Sequence, residues 1–198
     1  MSTSTQGADG RSHWNVPNTL TWLRILMIPA ILALFYLLPY PWADPAACAA
    51  FALAGITDSL DGYYARKLGQ TSRLGAFLDP VADKLIVATA LVLLVEADPR
   101  RVVAIAAAII IGREITVSAL REWMSQIGAR ANVAVSWLGK LKTASQIVGI
   151  GLMLYREPFL GPSMYTLGEW LLYAAVALTL WSMIDYLRAA GPAMRASD

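Results

Sequence analysis

Six apolar stretches, each near the roughly 20 residues a helix needs to cross a bilayer, constrain this chain more than any other feature. They lie at about 19–38, 46–66, 76–95, 101–123, 134–155 and 165–187. Between them stand breaks with a chemical cause. Pro39-Tyr40-Pro41-Trp42-Ala43-Asp44-Pro45 ends the first stretch, because proline cannot continue the backbone ladder. Glu96-Ala97-Asp98-Pro99 and Arg156-Glu157-Pro158 do the same further on. In hydrocarbon no water satisfies the backbone, so such stretches become helices. The expectation is an all-α integral membrane protein of six transmembrane helices. Residues 1–13, rich in Ser, Thr, Gly and Asp, are expected to form a disordered tail, 14–188 the membrane domain and 189–198 a C-terminal tail.

Composition agrees. Of 198 residues, 57% are hydrophobic and only 15% charged, well under the quarter usual for soluble domains. A net charge of +2 without any run of like charges gives no reason to expect nucleic acid as a partner. The single cysteine, Cys48, excludes an intrachain disulfide and reads as a small buried residue. The first apolar stretch is too long for a signal-peptide core and no cleavage pattern follows it.

Basic residues set an orientation. With a cytoplasmic N-terminus, thirteen Lys and Arg fall on the inner side and only Arg100, Arg101 and Arg156 outside. Both termini are therefore expected in the cytoplasm, with the protein in the cell's inner membrane. Trp14, Trp22, Trp42, Trp123, Trp137 and Trp170 fall near the ends of the stretches, as interfacial anchors do.

The chemistry-bearing segment is Asp58-Ser-Leu-Asp61-Gly62-Tyr-Tyr-Ala65-Arg66, then Gly75-Ala-Phe-Leu-Asp79-Pro-Val-Ala-Asp83-Lys84. Asp58 and Asp61 share a helix face at spacing three, and Asp79 and Asp83 at spacing four. Pro80 either kinks the third helix or opens it with Asp79 as N-cap. A short connection, about 67–74, makes the two helices antiparallel neighbours and lets four carboxylates converge at one depth. Such anions need a counter-charge near lipid. Arg66, Lys67, Arg73 and Lys84 could supply it as salt bridges. Hard oxygen donors beside Gly62, Ala65 and Gly75 suit Mg²⁺ or Mn²⁺ better, and the small residues leave room for a phosphate-bearing ligand.

Asp58-x-x-Asp61-Gly62-x-x-Ala65-Arg66, eight intervening residues and Gly75-x-x-x-Asp79-x-x-x-Asp83 resembles the defining motif of the CDP-alcohol phosphotransferase family at all its eight positions. Val16-Pro17-Asn18-Thr19-Leu20-Thr21-Trp22-Leu23-Arg24, Gly112-Arg113-Glu114-Ile115, Ala119-Leu120-Arg121-Glu122-Trp123 and the segment from Val135 to Thr143 resemble the branch whose acceptor is sn-glycerol 3-phosphate. The resemblance implies transfer of a phosphatidyl group from CDP-diacylglycerol, with release of CMP. It implies two Mg²⁺ or Mn²⁺ ions per site, held by Asp58, Asp61, Asp79 and Asp83, with Asp83 as general base. It also places Gly62, Ala65, Arg66 and Gly75 around the nucleotide, and it implies a homodimer.

An acceptor that carries phosphate calls for cations. Arg113, Lys140 and Lys142, near cytoplasmic helix ends, are the candidates, with Arg24 a fourth; snorkelling to the interface is the alternative for each. Glu114 and Asp185 read only as possible salt-bridge partners. The motif does not separate glycerol 3-phosphate from inositol phosphate, serine or phosphatidylglycerol. Carboxylates within a membrane also mark cation transporters, but those spread across the bilayer's depth, whereas these gather near one face.

Overall fold

A computed structural model describes residues 16–39, 41–68, 73–127, 137–156 and 162–196. Within the helices, side chains are not described at 16–18, 20, 59–68, 73, 74, 76, 137–140, 162, 163, 189, 190 and 192–196. The described residues form six helices and no strand: α1 (Val16–Leu37), α2 (Ala43–Leu68), α3 (Arg73–Ala97), α4 (Arg101–Gln126), α5 (Trp137–Tyr155) and α6 (Pro162–Ala196). Each corresponds to one apolar stretch. The largest shift is at the end of α6, which runs to Ala196; the other boundaries differ by three residues or fewer. The early start of α3 removes the N-cap option for Asp79. Pro80 lies inside the helix, where its missing N–H leaves a gap in the ladder directly after Asp79.

The helices pack as a closed ring in the order α1, α2, α5, α6, α4, α3, with α3 also touching α5 across the middle. Contact between α2 and α3 is sparse although a short connection joins them, and α1 packs against both. The core is aliphatic and small-residue rich, with Phe51, Leu91, Leu94, Ile110, Ile150 and Leu172 fully enclosed. Its outer surface is apolar as well: Leu26, Ile105, Ile115 and Trp170 are each about 60–70% exposed. In α1 the usual polarity is inverted. Thr21 and Arg24 are buried while Leu23 and Leu26 face outward, the pattern of a helix whose solvent is lipid. By length and apolarity, Arg101–Gln126 and Met164–Arg188 each suffice to cross a membrane, and Thr21–Leu37 is a shorter apolar helix.

The tightest helix contact joins α5 to α6. A Cβ at Gly149 would stand 2.9 Å from the Gly168 carbonyl oxygen and 3.0 Å from the Leu172 nitrogen, and one at Gly168 would stand 2.9 Å from the Gly149 oxygen. Backbone cannot yield to such a methyl, so the pair lets the helices approach as small residues do in membrane bundles. Gly149→Ala is expected to lower the thermal midpoint in detergent, because overpacking costs about 1–3 kcal/mol and outweighs alanine's gain in helix propensity of about 1 kcal/mol. Gly112, where a Cβ meets nothing within 4 Å, provides the opposite sign: Gly112→Ala should hold or raise the midpoint.

Polar side chains fasten the end of the bundle opposite the aspartate motif. Arg100 pairs with Asp98 at 2.6 Å and with Glu169 at 3.0 Å, and Tyr165 donates to Asp98. Arg156, at φ 39° in the left-handed region that side chains disfavour, binds Asp44 at 2.7 Å and lies over the Phe35 ring. Tyr36 donates to Glu96. The hydrogen-bonded Arg100 guanidinium, helped by Tyr165, holds the Asp98 carboxyl down to about 2. Because that value lies below the ordinary unfolded one of about 3.9, the Asp98 contribution is complete above pH ~4 and is lost as pH falls towards 2. Asp98→Asn should therefore lower the thermal midpoint at neutral pH, and its deficit against the unmodified protein should shrink between pH 5 and 2.

Candidate active site

At the other end, α1 reaches one motif aspartate on α2 and one on α3. Asp58 lies near the C-terminal end of α2, where the helix turns polar, and is 47% exposed. Its Oδ1 lies 2.9 Å from Nη1 of Arg24, which is itself 1% exposed. One turn earlier on α1, the Thr21 hydroxyl donates to Oδ1 of Asp79 on α3. Thr21 and Arg24, three apart, share a face of α1 and reach one carboxylate on each neighbouring helix. That is why α2 and α3 meet only sparsely: α1 stands against both and supplies the polar contacts.

Asp83, one turn beyond Asp79, is accessible and has no hydrogen-bond or ion-pair partner among the described residues. The charges that act on it are those of Asp58, Arg24, Glu114 and Lys84. Asp58 and Asp79 are thus committed to α1, while Asp83 is open. Gly75 is buried in α3. Asp61, Gly62, Ala65 and Arg66 lie on α2 and Lys140 on α5, with side chains outside the described residues. Among the described residues no group of three or more His, Cys, Asp or Glu could hold a metal ion. The donor set of Asp58, Asp79 and Asp83 is all-oxygen and therefore chemically suited to Mg²⁺ or Mn²⁺, with Asp61 three residues after Asp58 on the same helix.

Beside Asp83 a second polar cluster joins α4, α5 and α6. Arg113 and Lys142 are 8% and 6% exposed, so neither snorkels. Both donate to the same oxygen, Oε1 of Glu114, at 2.8 and 2.7 Å. Arg113 Nη2 donates to Ser182 Oγ at 3.0 Å. Two of the expected acceptor-side cations are therefore together, whereas Arg24 is bound to the motif aspartate Asp58 instead. Thr21 and Ser182 escaped the sequence reading. A Thr–Arg pair at helical spacing in an apolar stretch was a usable signal for Thr21; a lone serine in α6 offered none.

An all-helical bundle with an apolar exterior, its ionisable side chains kept to its two ends and accessible carboxylates at one of them, is a membrane protein with a polar site. Comparison with known proteins gives the family. The family model for CDP-alcohol phosphatidyltransferase matches residues 14–181, and the chain belongs to that family. Its relatives include the CDP-diacylglycerol–glycerol-3-phosphate 3-phosphatidyltransferases of Salmonella choleraesuis (strain SC-B67) and Escherichia coli (strain K12). Each is 46% identical over 180 residues, covering 90% of this chain and 96% of the relative.

Proposed function

We propose that the protein transfers a phosphatidyl group from CDP-diacylglycerol to sn-glycerol 3-phosphate, forming phosphatidylglycerophosphate and releasing CMP. The observation that carries this reading is the accessible carboxylate of Asp83, within electrostatic reach of the Asp58–Arg24 pair and of Glu114, the carboxylate that binds Arg113 and Lys142. Relatives named for the same reaction support it. In this reading Arg113 and Lys142, with Lys140, receive the acceptor's phosphate. Asp83 takes the proton from the acceptor's hydroxyl as the oxygen bonds to the lipid-linked phosphorus, and the bond from that phosphorus to the CMP oxygen breaks. Gly62, Ala65, Arg66 and Gly75 line the nucleotide.

Asp58, Asp61, Asp79 and Asp83 would hold two Mg²⁺ or Mn²⁺ ions, which supply Lewis-acid neutralisation of the pyrophosphate. Arg24 and Thr21 orient Asp58 and Asp79 for that task. An apolar groove of about 510 Å³ between α2 and α5, lined by Phe51, Gly55, Ile56, Ile147, Val148 and Leu152, suits a donor acyl chain. Gly55 and Ile56 precede Asp58 on the same helix, so the groove leads towards the motif. Six spans, both termini in the cytoplasm, a site facing the cytoplasm from the inner membrane, and a homodimer complete the proposal.

The test is CMP release by purified protein in detergent, given CDP-diacylglycerol and Mg²⁺ with glycerol 3-phosphate, inositol 1-phosphate or serine in parallel. Release that depends on glycerol 3-phosphate is the expected result. Release with another acceptor would keep the chemistry and retract the acceptor, and silence from folded protein with every acceptor would sink the proposal.

A further inference from the structure

We propose that Glu114 and Ser182 are positioning residues for the acceptor's phosphate, an inference that rests on the reading of Arg113 and Lys142 as its binding cations. Two cations and one carboxylate share a buried site, so the cluster of Arg113, Lys142 and Glu114 carries excess positive charge where solvent offers little screening. Glu114 directs both donors to one oxygen, which fixes the distance between the ammonium and the guanidinium. Ser182 accepts from the other arm of the guanidinium and donates in turn to the Thr179 carbonyl at 3.0 Å, which anchors the plane of Arg113 to α6. Arg113 Nε is buried with no hydrogen-bond partner among the described residues, so the guanidinium retains donor capacity after both fixed contacts are made.

This arrangement accounts for the carboxylate's place in a site meant for an anion. Without Glu114, two like charges would repel and separate. With it they are held at a set spacing and still leave a surplus that a phosphate dianion satisfies. Glu114 is also within electrostatic reach of Asp83.

Steady-state kinetics with both substrates varied, on full-length protein in detergent, tests the proposal. Glu114→Gln is expected to raise KM for glycerol 3-phosphate about tenfold or more, because the amide oxygen can still accept but the carboxylate charge that holds both cations is lost. KM for CDP-diacylglycerol should stay near its starting value, and Glu114→Asp should recover part of the loss. Ser182→Ala, which removes one neutral contact, should raise the acceptor's KM about fivefold. A structural role alone would instead lower the yield of active protein without moving the acceptor's KM. If Arg113→Ala and Lys142→Met raise that KM while Glu114→Gln and Ser182→Ala leave it unchanged, the positioning role is wrong. If Arg113→Ala and Lys142→Met also leave it unchanged, the acceptor reading beneath it fails, and the inference with it. Should Glu114→Gln not fold, Ser182→Ala alone decides.

Discussion

Asp83→Asn is expected to lower kcat about 10³-fold while CMP and CDP-diacylglycerol still bind. The magnitude follows from what a positioned base contributes to proton transfer, about 10²–10⁴-fold. Asparagine keeps the shape and can still accept a hydrogen bond, but it cannot take the proton. Among the motif's three described aspartate side chains the substitution is cleanest here, because Asp58 and Asp79 are bound by Arg24 and Thr21 and their loss would disturb α1. Asp83 holds no such contact among the described residues, so the helix ring should survive the change. Nucleotide binding measured on the same preparation separates loss of the base from loss of the site. Turnover within a few-fold of the unmodified protein would remove Asp83 from the base role.

The helices were legible because lipid leaves the backbone one economical solution, and an apolar run of about 20 residues announces it. Their ends were less legible for the same reason. Apolarity stops where a helix leaves hydrocarbon, but hydrogen bonding does not, so α6 continues to Ala196, nine residues past its expected end. The aspartates were legible as local spacings, three and four residues apart. What spacing could not give was the company they keep. Thr21 and Asp79 are 58 positions apart, and Lys142 and Glu114 28 apart. Only the packing of α1 against both α2 and α3, and of α4, α5 and α6 around Arg113, brings them together. The distant clasp of Asp98, Arg100, Tyr165 and Glu169 was hidden likewise, since Asp98 and Arg100 lie at one break while Tyr165 and Glu169 lie in the sixth apolar stretch. Arg24 shows how far residue type alone carries: a buried arginine in a membrane helix signals a partner, and a carboxylate of the motif is one.

Asp79→Ala should reduce CMP release below detection, and the way it does so bears on the metal directly. Asp79 sits in α3 where Pro80 interrupts the ladder, with Oδ1 engaged by the Thr21 hydroxyl and a second oxygen, Oδ2, beside it. If that second oxygen is a metal ligand, alanine removes a first point of attachment that water cannot replace among neighbouring carboxylates, and affinity for the cation falls with activity. Mn²⁺ added to the unmodified protein should then raise its thermal midpoint, as any ligand that binds only the folded state does. The same titration on Asp79→Ala should leave the midpoint where it was. Thr21→Ala provides the contrast. It removes a neutral hydrogen bond but no metal ligand, so its activity should fall only several-fold and the Mn²⁺-dependent rise should persist. A rise in the Asp79→Ala protein as large as in the unmodified one would place the cation elsewhere and leave Asp79 as the α1–α3 contact it makes with Thr21.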